Sequence, residues 1–355
     1  MARNISNYNF CGNVMISSKN PLVKRDVITT AAGKQMDKIS INFGVKDGGN
    51  CVFVSAQDIK PKVIKTYSVD KEPIEINWED RFDPDVIKKV ASYRKYSANL
   101  GDGWKEFITI WDLIEYLEDE LPNIKDKIIA RGQFQIRPGK TRNYDSFNLQ
   151  HISIAKEDDK PHWKMNTLLY WRKSEIDKAE DGKWYIPAYT EMYIDRDIGT
   201  KLLPIQVILN TKVFDLSKEK HKAQYNIRTA CLEPKSSKWY ALPWEINVLT
   251  GAEPVEFDES CLTPLQKALI DSGDAVLSDF APRGQILGNA VREYRLGKPL
   301  IRDEYADGPI EAPWQGKDFD EQIYSVPQEI SLSDVIAESN DGNDNSDSSD
   351  DDDLF

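Results

Sequence analysis

The side chains in this sequence best suited to chemistry are cations placed close to aromatic rings. Two polar stretches are basic. One holds Lys19, Lys24, Arg25 and Lys34 against the acid Asp26; the other holds Lys125, Lys127, Arg131, Arg137, Lys140 and Arg142 against Asp126. Between them Lys88 and Lys89 precede Tyr93-Arg94-Lys95-Tyr96, which interleaves rings with cations. Arg131, Gln133, Gln135 and Arg137 alternate with Gly132, Phe134 and Ile136, so a strand here carries a cationic stripe on its outer side. Cations bind phosphates with an affinity that falls as salt rises. Rings stack on bases of any sequence, at about 1–3 kcal/mol per base. Phe53, Tyr93, Tyr96 and Tyr144 are the candidate rings. Phe53 fits a core position better than a platform, and Tyr93 and Tyr96, spaced i, i+3, serve equally well as helix anchors. Tyr144, beside the basic turn, is the strongest platform.

Enzyme chemistry finds no comparable support. Pro138-Gly139-Lys140-Thr141 imitates the end of a phosphate-binding loop, but Phe134 stands where the leading glycine is required, and the context is a hairpin. Asp80, Asp83 and Asp85 lie in a polar stretch without supporting residues and read as a solvated face. Cys11, Cys51, Cys231 and Cys261 are widely spaced and form no Cys-x-x-Cys pair; with His151, His162 and His221 they give no zinc signature. The expectation is a binding protein, not an enzyme, with no metal or cofactor and with reduced thiols.

The elements that must position the cations and rings are mostly strands. Tyr8 to Val14, Ile39 to Val45 and Cys51 to Val54 alternate apolar and polar residues, with a hairpin turn at Lys46-Asp47-Gly48-Gly49-Asn50. A long insertion follows, with Trp78, Tyr93, Tyr96 and Trp104. Ile110, Leu113, Ile114, Leu117 and Leu121 then mark a helix, capped by Thr109 and ended by Pro122. Ile128–Arg137 and Tyr144–Ile154 form a second hairpin, with a bulge expected near Gln150–His151. Five strands with a helix between the third and fourth is the pattern of an oligonucleotide/oligosaccharide-binding (OB) barrel. Its ligand face is formed by the second and third strands, flanked by the loops after the first and fourth, and both of those loops are basic here.

The second half is again strand-rich, at Met165–Trp171, Trp184–Ile194, Leu202–Thr211, Gln224–Leu232 and Trp239–Leu249, and suggests a second, divergent barrel. Helices are expected after Thr263-Pro264, stopping at Gly273, and over Gln285–Leu296. Trp171-Arg172-Lys173, Lys183-Trp184-Tyr185 and Lys238-Trp239-Tyr240 pair cations with rings, a pattern that also suits core aromatics under long basic side chains. The expected class is mainly β with some α. Residues 1–156 form the OB domain, 162–300 the second β-rich domain with helices at its C-terminal end, and 303–355 an acidic linker and disordered tail.

Charge divides the same way. The 355 residues carry −13, but from Arg302 onward 17 acids face 2 bases, a net −15, while Met1–Ile301 carries +2. A body at +2 demands a local nucleic-acid site, not a global one. No stretch approaches a membrane span or a signal peptide, which points to a cytoplasmic protein. The chain ends Asp350-Asp351-Asp352-Asp353-Leu354-Phe355. Carboxylates cannot build a core, yet two apolar residues and a terminal carboxylate close the run, a form that a basic, apolar pocket can grip.

The tail resembles those of bacterial and bacteriophage single-stranded DNA-binding proteins, which end in several Asp and a short apolar pair closing on Phe. Leu354 stands where bacterial versions usually carry Pro. The resemblance covers the tail and the strand order of Met1–Lys156, and is to the metal-free phage type. It implies a protein that coats single-stranded DNA in replication, recombination and repair, in the cytoplasm of a bacterial host. Its tail, Asp350 to Phe355, would recruit a polymerase, primase or helicase, and would rest across the DNA groove when DNA is absent. Two other classes fit the composition: a β-rich structural or interaction module, such as a virion component, and an RNA-binding regulator.

Overall fold

The computed structural model describes residues 6–313, apart from 30–32, 138–142, 196–198, 253, 256–261, 277–278, 281–285 and 288–290. The first strands follow the apolar alternation. β1 (Asn7–Met15), β2 (Val23–Thr29), β3 (Gln35–Asp47) and β4 (Asn50–Ile59) send Tyr8, Phe10, Ile39, Ile41, Phe43, Val45, Val52 and Val54 inward, all at most 2% exposed. The insertion follows: the hairpin β5 (Val63–Tyr67) and β6 (Pro73–Asn77), the short helix α1 (Pro84–Lys89), then β7 (Tyr96–Asn99) and β8 (Lys105–Phe107). Helix α2 (Ile110–Glu120) lies where the sequence places it. Thr109 accepts from the Asp112 amide as its cap, and Leu113, Ile114 and Leu117 are fully buried. β9 (Ile128–Arg137) and β10 (Tyr144–Ile154) complete the set, and their register slips between Leu149 and His151, where the bulge was expected.

Pairing closes these strands into a barrel. β1 bonds to β3, β3 to β4 and β9 to both β1 and β10, all antiparallel; the ring closes where Ser55 of β4 meets Asn148 of β10 in parallel. This order, with α2 between the third and fourth barrel strands, is an OB fold.

The second half repeats it. β11 (His162–Arg172), the short β12 (Asp177–Lys178), β13 (Lys183–Asp195), β14 (Gly199–Asn210), α3 (Glu219–Leu232), β15 (Trp239–Gly251), the short pair β16 (Pro254–Val255) and β17 (Ile286–Leu287) around α4 (Pro264–Asp271), and β18 (Val291–Pro299) follow in order. β11, β13, β14, β18 and β15 form the ring, and it too closes on one parallel contact, Ile208 with Arg295. β19 (Ile310–Glu311) then runs beside β15.

Two expected elements change type. Gln224–Leu232, expected as a strand, lies in helix α3, whose Cys231 and Leu232 are buried while Ile227 is 53% exposed. Within Gln285–Leu296, expected as helix, the described residues are strand: Val291–Leu296 belongs to β18, which pairs with β15 some forty residues earlier. A partner that distant leaves no local signal. α4 does form, with a Thr263/Gln266 capping box, and Gly273 follows it at φ +81°.

The barrels are joined strand to strand. β1 and β11 pair antiparallel from Asn7–Asn166 to Cys11–His162. The buried Asn50 amide donates to Val248 O at 3.0 Å, and its carbonyl accepts from Thr250 N at 2.8 Å. Arg292 and the Tyr294 hydroxyl both bind Asp145, and the Tyr294 ring packs on Phe134.

A half-buried carboxylate on β4 secures α2. Asp58 of β4 accepts from Trp111 N at 3.1 Å and Ile59 N at 2.9 Å. Burial, outweighing those two donors, pushes its carboxyl up from 3.8 to about 6. The neutral form is therefore favoured in the fold. The stabilisation this gives is complete below about pH 4 and is lost as pH rises through about 6. Stability should fall by on the order of 2 kcal/mol between pH 4 and pH 7, and Asp58→Asn should flatten that slope. Urea titrations of both proteins at the two pH values would show it, and equal slopes would contradict it.

Candidate nucleic-acid interface

Alternation that sends one side chain inward sends its neighbour outward, and the outward set gathers the candidate residues. On β9, Arg131, Gln133 and Arg137 are exposed and Gln135 half-buried, while Ala130, Phe134 and Ile136 are in the core. Pairing with β10 sets Arg137 beside Tyr144, Gln135 beside Ser146 and Gln133 beside Asn148. Asn148 Nδ2 donates to Gln135 Oε1 at 2.8 Å and so orients that amide. Asn148 also meets Ser55 of β4. Phe53 precedes Ser55 by two residues on β4 and so shares its side of the strand.

Phe53 is therefore an outer residue. It is half-buried between Val52 at 2% and Val54 at 0%, which corrects its expected place in the core. Its partner on β3 is Gly44, which puts no side chain beside the ring. A Cβ there would lie 2.7 Å from Cys51 Sγ, so the position holds glycine for space. Phe53 on β4, Tyr144 on β10 and Gln135 and Arg137 on β9 thus all lie on the outer side of adjoining strands. Tyr144 is half-buried at the start of β10.

The stripe extends further than its four sequence positions. Gln133 meets Asn7, and Asn7 meets Asn166 of the second barrel, whose Nδ2 donates to Asn7 Oδ1 at 3.2 Å. Arg131 meets Asn9, which meets Lys164. His151, opposite Arg131, bonds Ser97 Oγ through Nδ1 at 2.8 Å; burial, and then the Arg131 charge, lower its pKa and favour the neutral ring. Asn7, Asn9, Asn148 and Lys164 were missed in the sequence. The signal was there, as the polar phase of strands otherwise read only for their apolar phase.

The loop cations divide by role. Lys19 and Lys34 are exposed, and Lys24 is exposed with Asp26 at 3.4 Å. Arg25 points the other way and makes a two-pronged bond to Glu118 of α2, at 2.7 and 2.5 Å. This pair raises the Arg25 pKa and lowers that of Glu118. Half-exposed as it is, it contributes about 1 kcal/mol or less, and it ties the β2–β3 hairpin to the helix. Lys140 and Arg142 lie outside the described residues, as do Asp350, Asp351, Asp352, Asp353, Leu354 and Phe355.

The insertion separates its four-residue motif. Lys95 is paired with Glu106 at 2.8 Å and only 12% exposed. Tyr96 packs on the core, and burial pushes its hydroxyl up to about 12. Both hold structure. Tyr93 is 55% exposed and Arg94 is exposed, with Lys88 and Lys89 exposed on α1 and Lys88 at 3.1 Å from Asp85. In the second barrel Trp171 and Trp184 are core, with Lys178 over Trp184; Arg172 lies over Trp239, and Lys238 pairs with Glu311. Those basic-aromatic pairs read as packing.

Among the described residues no cluster of His, Cys, Asp or Glu could hold a metal ion, and no helix is long and apolar enough to cross a membrane. Cys11, Cys51 and Cys231 are buried and unpaired.

The fold and face define a class, a tandem OB-barrel chain with a polar, aromatic outer surface. No protein-family profile matches the sequence, and no curated protein matches it. Among solved structures, it is similar to a deletion variant of the single-stranded DNA binding protein from Thermus aquaticus, at 10% identity and TM-score 0.30, over 70% of this chain and 89% of that one. The wild-type Thermus aquaticus protein matches at 8% identity and TM-score 0.26, over 74% and 100%. Likenesses this distant do not bear on function.

Proposed function

We propose that this chain binds single-stranded DNA along the outer face of its first barrel. The observation that carries this reading is that Phe53, Tyr144, Gln135 and Arg137 share the outer side of the adjoining strands β4, β10 and β9. Ring faces can stack only on bases that are not already stacked and paired, so a duplex offers them nothing. The cations meet phosphates whatever the sequence. The chain coats exposed strands during replication or recombination, as in a phage-infected cell, and Asp350–Phe355 recruits a polymerase, primase or helicase.

The test is fluorescence anisotropy of a labelled oligo-dT of about 30 nucleotides, against a duplex of equal length, across a salt series. The single strand should bind and the duplex should not. With about four phosphates neutralised, a slope near −3 in log affinity against log salt is expected, or roughly 50-fold weaker binding from 50 to 200 mM. Absence of binding to either ligand at low salt, with the tail removed, would reject the reading. Preference for oligo-rU over oligo-dT would make the chain an RNA-binding regulator.

A further inference from the structure

The insertion holds most of the exposed aromatic rings among the described residues. Among the described residues the exposed aromatics are Phe82, Tyr93, Trp104 and Tyr193, and the first three lie between β4 and α2. Phe82 is covered by the Arg81 guanidinium at 4.2 Å, which is itself tied to buried Asp112. Trp104 lies beyond the far end of β7, past Gly101 and Gly103. Tyr93 is different in position.

The ladder between β4 and β10 is the pair Ser55–Asn148, and past that point β7 takes the place of β4 beside β10, with Ser97 opposite His151. Because β7 runs parallel to β10 and begins just past the Ser55–Asn148 pair, the turn Ser92–Arg94 that leads into it lies on the Asn148 side of the Ser97–His151 pair. The turn is braced. Arg94 N bonds Ala91 O, Ala91 N bonds Tyr67 O, and Val69 N bonds Lys89 O. The Arg94 guanidinium lies 4.8 Å from the Tyr67 ring and 5.7 Å from the Tyr93 ring, so a cation stands by Tyr93, whose side chain stays 55% exposed. Lys89 is exposed on the adjoining helix end.

We infer that the insertion carries a second stacking subsite for the same strand. A single strand leaving the Phe53–Tyr144 patch past Ser55 and Asn148 continues onto Tyr93, where a base stacks on the ring and Arg94 and Lys89 meet the flanking phosphates. This rests on the single-strand reading of the barrel face and extends it, since the insertion then lengthens the occluded site.

The test uses the full chain with oligo-dT of about 8 and about 30 nucleotides. Tyr93→Ala should bind the short strand like wild type and the long one about tenfold more weakly, while Tyr93→Phe restores the long-strand affinity. Thermal unfolding should be unchanged, since Tyr93 is exposed. Wild-type affinity of Tyr93→Ala at both lengths would overturn the subsite. Phe53→Ala, assayed alongside, separates the two ideas: weakening at both lengths with Tyr93→Ala silent removes the subsite alone, whereas failure of the wild type to bind removes the reading beneath it.

Discussion

Replacing Phe53 and Tyr144 together by alanine should weaken binding of a single-stranded oligo-dT by about 30-fold or more, with little loss of stability. The rings occupy neighbouring strands of one outer face, and each stacked base is worth about 1–3 kcal/mol, so two make at least about 2 kcal/mol. Neither ring belongs to the core, in contrast to Val52, Val54 and Phe147, which are at most 4% exposed. The slope of affinity against salt should stay as in wild type, because no phosphate contact is removed. Arg137→Ala should do the reverse, reducing the slope by about 0.7 with a smaller loss at moderate salt. Anisotropy titrations at two salt concentrations read both effects. A double variant that binds like wild type would place the strand elsewhere on the molecule.

Gly251→Ala should destabilise the protein by about 3 kcal/mol or more. Gly251 has φ +135°, a conformation that L side chains rarely adopt, and a Cβ built there would lie 1.9 Å from Gly49 O. Both partners are backbone and sit where the β3–β4 turn of the first barrel meets the end of β15, so no rotamer change relieves the clash. Ala252 N bonds that same Gly49 oxygen at 3.0 Å, and Asn50 is bonded on both sides of its amide to Val248 and Thr250. Added volume must therefore push the barrels apart and strand a buried amide, a loss of about 1–3 kcal/mol by itself. Differential scanning calorimetry should show a midpoint lowered by several degrees, or a split transition if the barrels uncouple. A melt indistinguishable from wild type would mean this contact does not hold the barrels together.

Much of this architecture is legible in the order of the residues. Ile39, Ile41, Phe43 and Val45 alternate because one face of their strand is buried. Thr109 and Thr263-Pro264 announce helices through their own backbone bonds, and the phase slip at Gln150–His151 announces a bulge. These are local signals, set by the period of a strand or the cap of a helix, and the structure keeps them. The outward stripe Arg131, Gln133, Gln135 and Arg137 was legible for the same reason.

What tertiary structure alone decided concerns partners far apart in the chain. Val291–Leu296 is a strand because β15 offers it an edge, and Gln224–Leu232 a helix because it bridges the third and fourth strands of a barrel. Arg25 is drawn to Glu118, and β4 is brought beside β10 by the parallel meeting of Ser55 with Asn148. The joining of β1 to β11 makes two amphipathic patterns into one continuous outer face. A side chain's type and phase are properties of its own segment, but its neighbours across a sheet depend on register between segments far apart in the chain, and no local pattern encodes that register.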